Sequence, residues 1–441
     1  MFAFHSRRTA NWIVLAAAGG LALAGCAGTG ASESGSASGS SDGTPVEITY
    51  LHRLPDGDNM VKVADIVSRW NAENPLIQVT AVKYDGKSTE MSKKLETDVK
   101  AGKAPCLAQI SYAETPEFYV KGLVEDVTSY AEKYRSQFSA AYQMMSVGGT
   151  VVGLPQDTGP LVYYYNKAEF ADLGLEVPTN LEEFKAVAEK AAGEGKYTSA
   201  FFTDEAYNWI TAQAAAAGAS WYTVKDDQWV VDVTGEGADT VSDLWQDLID
   251  SDQTLVTERW GDTFPKALVD QNLIGTVGAA WEAPLLADSM AGTANEGQWA
   301  VAPLPDYGKG ELTGPEGGSG VAVIKGCEYP EQAMEFNAWF NTQISDLATQ
   351  GLVPAAQGAV ETPETVKAFY GGQDVFAEFA KANDNLSTDF AFMPYFNAVG
   401  SSMNEAAAAA GSGSGDVKGI FEAAQAASVK ALEDGGLAVQ K

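Results

Sequence analysis

VEITYL at residues 46–51, IQVTAV at 77–82 and CLAQIS at 106–111 are short stretches rich in β-forming residues. Two segments with helical spacing, 60–74 and 88–100, separate them; in the first, Val63, Ile66, Val67 and Trp70 recur every three or four residues. Strands that alternate with helices predict an α/β sheet whose strands are joined by crossover helices.

The pattern continues along the chain after residue 111. The spacing predicts helices over residues 179–193, 207–217, 237–251 and 330–341, and two more at 406–410 and 416–432, which a Gly-Ser segment separates. Short apolar strands are predicted at 161–165, 273–280 and 320–324. No internal repeat is visible in the sequence.

The N-terminus has the features of an export signal. Arg7 and Arg8 precede an apolar run over 12–24 that is too short for a membrane helix, so residues 1–25 are predicted to be a removable signal peptide. LAGC at 23–26 looks like a lipobox, which predicts lipid attachment at Cys26. Residues 26–45 are mostly Gly, Ser, Ala and Thr and are predicted to form a flexible tether.

Composition excludes some partners. The formal net charge is −31, from 59 acidic and 28 basic residues. Nucleic acid and anionic lipid both require a cationic surface, so neither is expected as a ligand. Residues 26–441 are too many for one hydrophobic core, which makes two domains the expectation.

Cysteine and histidine are scarce in the exported part of the chain. Cys106 and Cys327 are consistent with one disulfide or with two free thiols. His52 is the one histidine that follows the signal peptide, so a zinc site built on several histidines is not available. We expect no metal and no cofactor.

Motifs for common catalytic sites are missing. The sequence contains no G-x-x-x-x-G-K-[ST] phosphate-binding loop and no G-x-S-x-G nucleophile elbow. A glycoside hydrolase needs only two carboxylates, and this acidic chain offers many, so that alternative stays open.

Four stretches, taken in their order and spacing, resemble a known family. They are GKAP at 102–105 with GLVEDV at 122–127, GLPQD at 153–157 with YNK at 165–167 and VPTNLEEF at 177–184, IG at 274–275 with AW at 280–281, and GGSGVAV at 317–323 with PEQA at 330–333 and WFN at 339–341. Together they resemble the extracellular solute-binding proteins of ABC importers, in the sugar-binding group that includes maltose-binding protein.

The resemblance implies an α/β fold of two lobes that close like a hinge over a ligand cleft. It places residues 46–156 plus 319–370 in lobe 1 and 157–318 plus 371–441 in lobe 2, with the glycine-rich segment around Gly318 as one crossover. Many family members have Asp where this chain has Cys106. In the family fold the strand that begins at Cys106 runs beside the strand that precedes Cys327. The resemblance therefore implies a Cys106–Cys327 disulfide.

The resemblance also implies a ligand site of aromatic and polar side chains at strand ends. The leading candidates are Trp281, Tyr112, Glu205 and Asp157. Further candidates are Tyr207, Trp209, His52, Arg53, Asp58, Glu114, Tyr395, Phe396, Asn397, Trp260 and Gly318.

These features favour a monomeric, lipid-anchored receptor on the outer face of the cell membrane. We expect it to capture a carbohydrate, in particular an oligosaccharide, and to deliver it to the permease subunits of an ABC transporter. The alternatives are a binding protein for another polar solute, a surface-anchored glycoside hydrolase and a purely structural surface protein.

Overall fold

The structure, a computed structural model, describes residues 44–57, 60–387 and 390–440. Its strands are β1 (Val46–His52), β2 (Ile77–Lys83), β3 (Leu107–Ser111), β4 (Ser146–Val147), β5 (Thr150–Val151), β6 (Gly153–Thr158), β7 (Leu161–Asn166), β8 (Ala200–Phe202), β9 (Tyr222–Lys225), β10 (Gln228–Val231), β11 (Leu255–Thr257), β12 (Gly275–Ala279), β13 (Trp299–Pro303), β14 (Ser319–Val323) and β15 (Val353–Pro354).

The α-helices follow the predicted alternation, and several lie in segments where no helix was predicted. They are α1 (Val63–Glu73), α2 (Ser88–Lys100), α3 (Thr115–Val120), α4 (Thr128–Ala131), α5 (Lys167–Asp172), α6 (Leu181–Ala192), α7 (Ala206–Ala216), α8 (Glu236–Asp250), α9 (Thr263–Val269), α10 (Ala283–Ser289), α11 (Pro330–Asn341), α12 (Ile344–Thr349), α13 (Glu364–Phe369), α14 (Val375–Asp384), α15 (Phe396–Gly411) and α16 (Lys418–Asp434). Within the described ranges, no helix is long and apolar enough to cross a membrane.

One sheet has six strands in the order β15-β6-β14-β3-β1-β2. The strands β1, β2 and β3 are parallel, as their crossover helices require, with Val46 opposite Ile77 and Tyr50 opposite Leu107. The strands β14, β6 and β15 run antiparallel to their neighbours. The chain therefore leaves this sheet after β6 and returns to it at β14.

Buried side chains cover both faces of the six-stranded sheet. Successive residues of a strand point to opposite faces, so Tyr50 and Leu107 belong to one group of buried residues and Leu51 and Ala108 to another. We call this sheet and its two buried layers the first lobe.

A third group of buried residues surrounds the antiparallel sheet β12-β7-β13 and the parallel pair β8 and β11. Trp209 and Trp245 lie at its centre with their ring centroids 4.7 Å apart. We call this part the second lobe. Val366, Phe369 and Tyr370 are buried in this group, whereas the predicted boundary leaves them in lobe 1; the boundaries themselves stay a prediction.

Cys106 and Cys327 form a disulfide, with their Cα atoms 4.5 Å apart. Because β3 and β14 are antiparallel, the start of one strand lies beside the end of the other. The backbone N–H of Ile324 donates to the oxygen of Cys106, which fixes this approach. The predicted pairing is confirmed, and the alternative of two free thiols is wrong.

Candidate functional site

The chain crosses between the lobes before β7, before β14 and again after β15, and the first two of these connections are residues 158–160 and 314–318. They pair with each other, because the backbone N–H of Glu316 donates to the oxygen of Gly159 over 2.7 Å and Pro160 forms an antiparallel bridge with Pro315. A Cβ on Gly159 would lie 2.1 Å from the Glu316 oxygen, so only glycine permits this approach. We call the pair the crossing segments.

Two tryptophans of the second lobe stack beside the crossing segments. The rings of Trp260 and Trp281 are nearly parallel, at 10°, with their centroids 6.3 Å apart. The indole N–H of Trp281 donates to the backbone oxygen of Glu316 over 3.0 Å. Trp260 is 59% exposed, so its ring presents an apolar face to solvent.

Acidic side chains border the tryptophan pair. A carboxylate oxygen of Glu205 accepts the indole N–H of Trp260, and the carboxylate of Asp204 accepts the backbone N–H groups of Arg259 and Trp260. Glu205 is half-buried, and it places carboxylate oxygens at the edge of the aromatic surface.

Tyr207 extends from the second lobe toward the first. Burial raises the pKa of its phenol, and the negative charges of Glu205 and of Glu114, a first-lobe residue, act in the same direction, whereas Arg53 of the first lobe lowers it. Charged groups of both lobes therefore influence the pKa of the Tyr207 phenol.

The first lobe contributes Tyr112, in the 3-10 turn Tyr112–Glu114 that follows β3. Its phenol donates to the backbone oxygen of Asp157 over 2.8 Å. A Cβ on Gly318 would lie 2.7 Å from the Tyr112 ring, and Gly318 has a φ of +85°. The predicted candidates Tyr112, Asp157 and Gly318 therefore lie together where the lobes connect.

Asp157 is buried, and its carboxylate accepts a hydrogen bond from the Ser319 hydroxyl. Burial raises the pKa of the Asp157 carboxyl to about 6, although Ser319 and Arg53 favour its charged form. Gln109 donates to the Ser319 oxygen over 3.0 Å and accepts the backbone N–H of Arg53 over 2.7 Å. A chain of polar contacts thus joins Arg53 to Asp157.

His52 ends β1 and is almost completely buried. Its Nδ1 accepts the backbone N–H of Leu54 over 3.3 Å, and its ring lies 5.5 Å from that of Tyr50. Burial lowers the pKa of His52 to about 4. The structure places this candidate beneath the loop that follows β1.

Other candidates lie in packed surroundings. Trp209 and Phe396 are fully buried; the indole of Trp209 donates to the Val277 oxygen, and Phe396 packs on Tyr222. Tyr395 directs its ring at Gly435, where a Cβ would lie 2.4 Å from it. We leave these three side chains out of the proposed site because Trp209 and Phe396 are covered by protein atoms and the ring of Tyr395 faces Gly435.

Glu114 has a local role. Its carboxylate accepts the hydroxyls of Ser88 and Ser92 and the backbone N–H of Ser111, and so connects the start of α2 to the end of β3. We leave it out of the proposed site for this reason. Asn397 lies half-buried in the first turn of α15. Asp58 is outside the described residues.

Sequence reasoning did not identify Arg259 or Glu316. Both are buried, and Arg259 lies between the carboxylates of Glu316 and Glu282. An isolated Arg next to Trp260 and a Glu before two glycines give no sequence signal for this cluster, because its three members meet only in the folded chain.

A cavity of about 580 Å³ lies on another part of the lobe interface. Met60 and Thr349 of the first lobe and Pro284, Asp288 and Phe369 of the second are among its lining residues. Among the described residues, no group of three His, Cys, Asp or Glu side chains is arranged to hold a metal ion.

Residues 65–369 match the family described as bacterial extracellular solute-binding protein. This match covers more than half of the chain. The chain belongs to this family. The predicted family and the predicted two-lobed α/β fold are confirmed.

Individual relatives agree with this assignment. The galacto-N-biose-/lacto-N-biose I-binding protein of the ABC transporter of Bifidobacterium longum is 51% identical; the match covers 90% of this chain and 100% of that one, with a TM-score of 0.87. The arabinooligosaccharide-binding protein of Halalkalibacterium halodurans is 24% identical over 311 residues, which is 67% of each chain.

A third relative shows the fold alone. The ABC transporter associated binding protein of B. animalis subsp. lactis, solved with β-1,6-galactobiose, is 21% identical, covers 90% of this chain and 100% of its own, and has a TM-score of 0.76. The relative at 51% identity is a binding protein of an ABC transporter, in agreement with the predicted class of function.

Proposed function

We propose that this protein is the receptor of an ABC importer, which captures an oligosaccharide between its two lobes and delivers it to the permease. The family and the 51% identical relative from a sugar transporter support this proposal. Hinge closure around a solute is the usual motion of periplasmic binding proteins.

The stacked pair Trp260 and Trp281 is the observation on which the proposal depends. Sugars present apolar C–H faces that pack on aromatic rings and hydroxyl groups that need polar partners. The exposed face of Trp260 offers an aromatic surface for the C–H faces, and the carboxylate of Glu205 beside it offers a polar partner for the hydroxyl groups. Arg53, which is half-buried after β1, provides a further polar group from the first lobe.

We propose a disaccharide as the smallest ligand. The relative at 51% identity is matched over its full length and was solved with lacto-N-biose. Likeness at this level supports a ligand of similar size and chemistry more strongly than likeness to the relatives at 24% and 21% identity.

Calorimetric titration with lacto-N-biose, β-1,6-galactobiose and an arabinooligosaccharide tests the proposal. We expect saturable binding of lacto-N-biose, with a rise in melting temperature that grows with ligand concentration. Absence of binding to all three sugars would contradict an oligosaccharide ligand.

We propose further that the protein binds its ligand without hydrolysing it. The buried carboxylates Glu282 and Glu316 both pair with Arg259, which leaves neither free to act as an acid or base. Incubation with labelled lacto-N-biose and chromatography of the products tests this. Release of monosaccharide would instead support the glycoside hydrolase alternative.

We propose that diacylglycerol on Cys26 anchors the receptor, as a monomer, to the outer face of the membrane. The lipobox-like LAGC at 23–26 supports this, and more than one acyl chain gives stable attachment. Cys26→Ala should move the protein from the membrane fraction to the medium, which fractionation and immunoblotting would detect. Full membrane retention of the variant would exclude this anchor.

We propose that lobe closure follows the division at 46–156 plus 319–370 and 157–318 plus 371–441, with the 366–370 segment moving with the second lobe. The burial of Val366, Phe369 and Tyr370 among second-lobe residues supports this adjustment. Small-angle scattering with and without lacto-N-biose should show a smaller radius of gyration in the bound state.

A further inference from the structure

A buried cluster of three charged side chains lies against the crossing segments. Arg259, Glu282 and Glu316 are each at most 4% exposed. One guanidinium nitrogen of Arg259 binds the Glu316 carboxylate, and another lies 3.3 Å from the Glu282 carboxylate. Two carboxylates therefore share one guanidinium in a buried site.

The cluster also contacts the aromatic pair. The Arg259 guanidinium lies 5.8 Å from the centre of the Trp281 ring and 4.4 Å from that of Phe202. Trp260 follows Arg259 directly in the chain, and Glu282 follows Trp281. Arg259 is therefore linked to Trp281 through its guanidinium and to Trp260 through the backbone.

Glu316 connects this cluster to the crossing segments. Its side chain binds Arg259, its backbone oxygen accepts the indole N–H of Trp281, and its backbone N–H donates to Gly159 on the other crossing segment. One residue of the crossing segments thus holds Trp281 by two routes, directly and through Arg259.

This arrangement is poorly explained by stability alone. The Nε of Arg259 and one carboxylate oxygen of Glu316 are buried without a hydrogen-bond partner. Burial raises the pKa of both carboxyls although Arg259 lowers it. Apolar side chains of similar size often replace such buried ion clusters without loss of stability, so the charges point to a requirement for a defined geometry.

We propose that Arg259 and Glu316 are positioning residues for the ligand, which tie the Trp260–Trp281 pair to the crossing segments so that lobe closure and aromatic contact form together. The inference rests on the proposed oligosaccharide site. It assigns neither residue a contact with the ligand itself, because both are buried beneath the tryptophans.

A double-mutant cycle tests this coupling. Trp281→Ala removes the ring that both routes hold. We expect Glu316→Gln to weaken lacto-N-biose binding about tenfold in the otherwise unaltered chain and by less than about twofold in the Trp281→Ala background, since residues that act through each other are non-additive. Arg259→Lys, which keeps the charge but loses the fork of the guanidinium, should show the same dependence on Trp281.

Equal loss of affinity in both backgrounds, or no loss in either, overturns the inference. Urea unfolding of each variant identifies any that fails to fold, and Arg259→Lys then decides the outcome. Glu125→Gln is the matched control, because Glu125 pairs with Lys325 on the first-lobe surface and should leave the affinity unchanged. If the unaltered protein binds none of the sugars, the proposed function fails; if it binds and the cycle is additive, only the positioning role fails.

Discussion

The phenol of Tyr112 donates a hydrogen bond to the backbone oxygen of Asp157, 2.8 Å away. Tyr112 follows the third strand of the first-lobe sheet, and Asp157 lies at the end of β6, where the chain leaves that sheet. Gly318, on the returning crossing segment, packs against the same ring. One aromatic side chain thus contacts both the end of β6 and the returning crossing segment.

We expect Tyr112→Phe to lower the free energy of unfolding by about 1–2 kcal/mol, because the buried oxygen of Asp157 loses its phenol donor. Urea unfolding followed by circular dichroism measures this. Tyr119→Phe is the control, since Tyr119 is 39% exposed and its hydroxyl lies 3.5 Å from the hydroxyl of Thr150. Equal stability of the Tyr112 variant and the unaltered protein would show that the bond contributes little.

Removal of either stacked tryptophan should weaken sugar binding. Trp281→Ala and Trp260→Ala are each expected to cost about 1–3 kcal/mol of binding free energy, the scale of a lost aromatic contact. Calorimetry with lacto-N-biose measures the change. Trp229→Ala, in the β9–β10 hairpin, is the control. If neither site substitution changes the affinity, the ligand binds elsewhere on the protein.

Stability should depend on His52 at acidic pH. The pKa of His52 is about 4 in the folded protein, whereas an unburied histidine has a pKa of 6.5. As pH falls, the unfolded chain therefore binds a proton at this side chain before the folded protein does. The contribution of neutral His52 is complete above pH 6.5 and is lost toward pH 4. His52→Asn should therefore flatten the decline in unfolding free energy across this window, which denaturant titrations at several pH values would measure.

Asp157 acts in the opposite sense and provides the comparison. Burial raises its pKa to about 6 from 3.8, so its contribution is present at low pH and is lost as pH rises through 6. An Asp157→Asn variant should keep the decline below pH 6.5 that we attribute to His52. If the decline persists in His52→Asn, other groups cause it.

Loss of the Cys106–Cys327 disulfide should destabilise the first lobe by about 2–4 kcal/mol, because the crosslink joins segments 221 residues apart in sequence. The Cys106→Ser, Cys327→Ser double variant and the reduced protein should unfold at the same, lower urea concentration. Reduction of the double variant is the control and should have no effect. Equal stability of oxidised and reduced protein would show that the bond does not constrain unfolding.

Secondary structure was largely predictable where one periodicity dominated. The helix predicted over 88–100 is α2, and the strands predicted at 46–51 and 77–82 are β1 and β2, each one residue longer. The helix predicted over 179–193 begins later, because Asn180 rather than Thr179 accepts the N-terminal backbone N–H, from Glu183. α13 and α14 were not predicted.

The sequence predicted which types of side chain form the candidate site, but not which of them are exposed. Trp209 and Trp281 both occur in segments that resemble a sugar site, yet Trp209 is enclosed by Phe201, Phe202 and Trp245, whereas Trp281 stacks on an exposed neighbour. Helical spacing places Trp209 on a face of α7, but which face is covered depends on the sheet that packs against it.

The sequence by itself determined the alternating α/β pattern, and its ordered local motifs carried the resemblance that implied both the family and the pairing of Cys106 with Cys327, because periodicity and motifs are properties of the chain. Tertiary structure alone decided which aromatics remain open to a ligand and that Arg259, Glu282 and Glu316 share one buried site. The physical reason is that these side chains lie far apart in the sequence and come from different structural elements. They contact one another and lose their water only once the lobes and the crossing segments have packed.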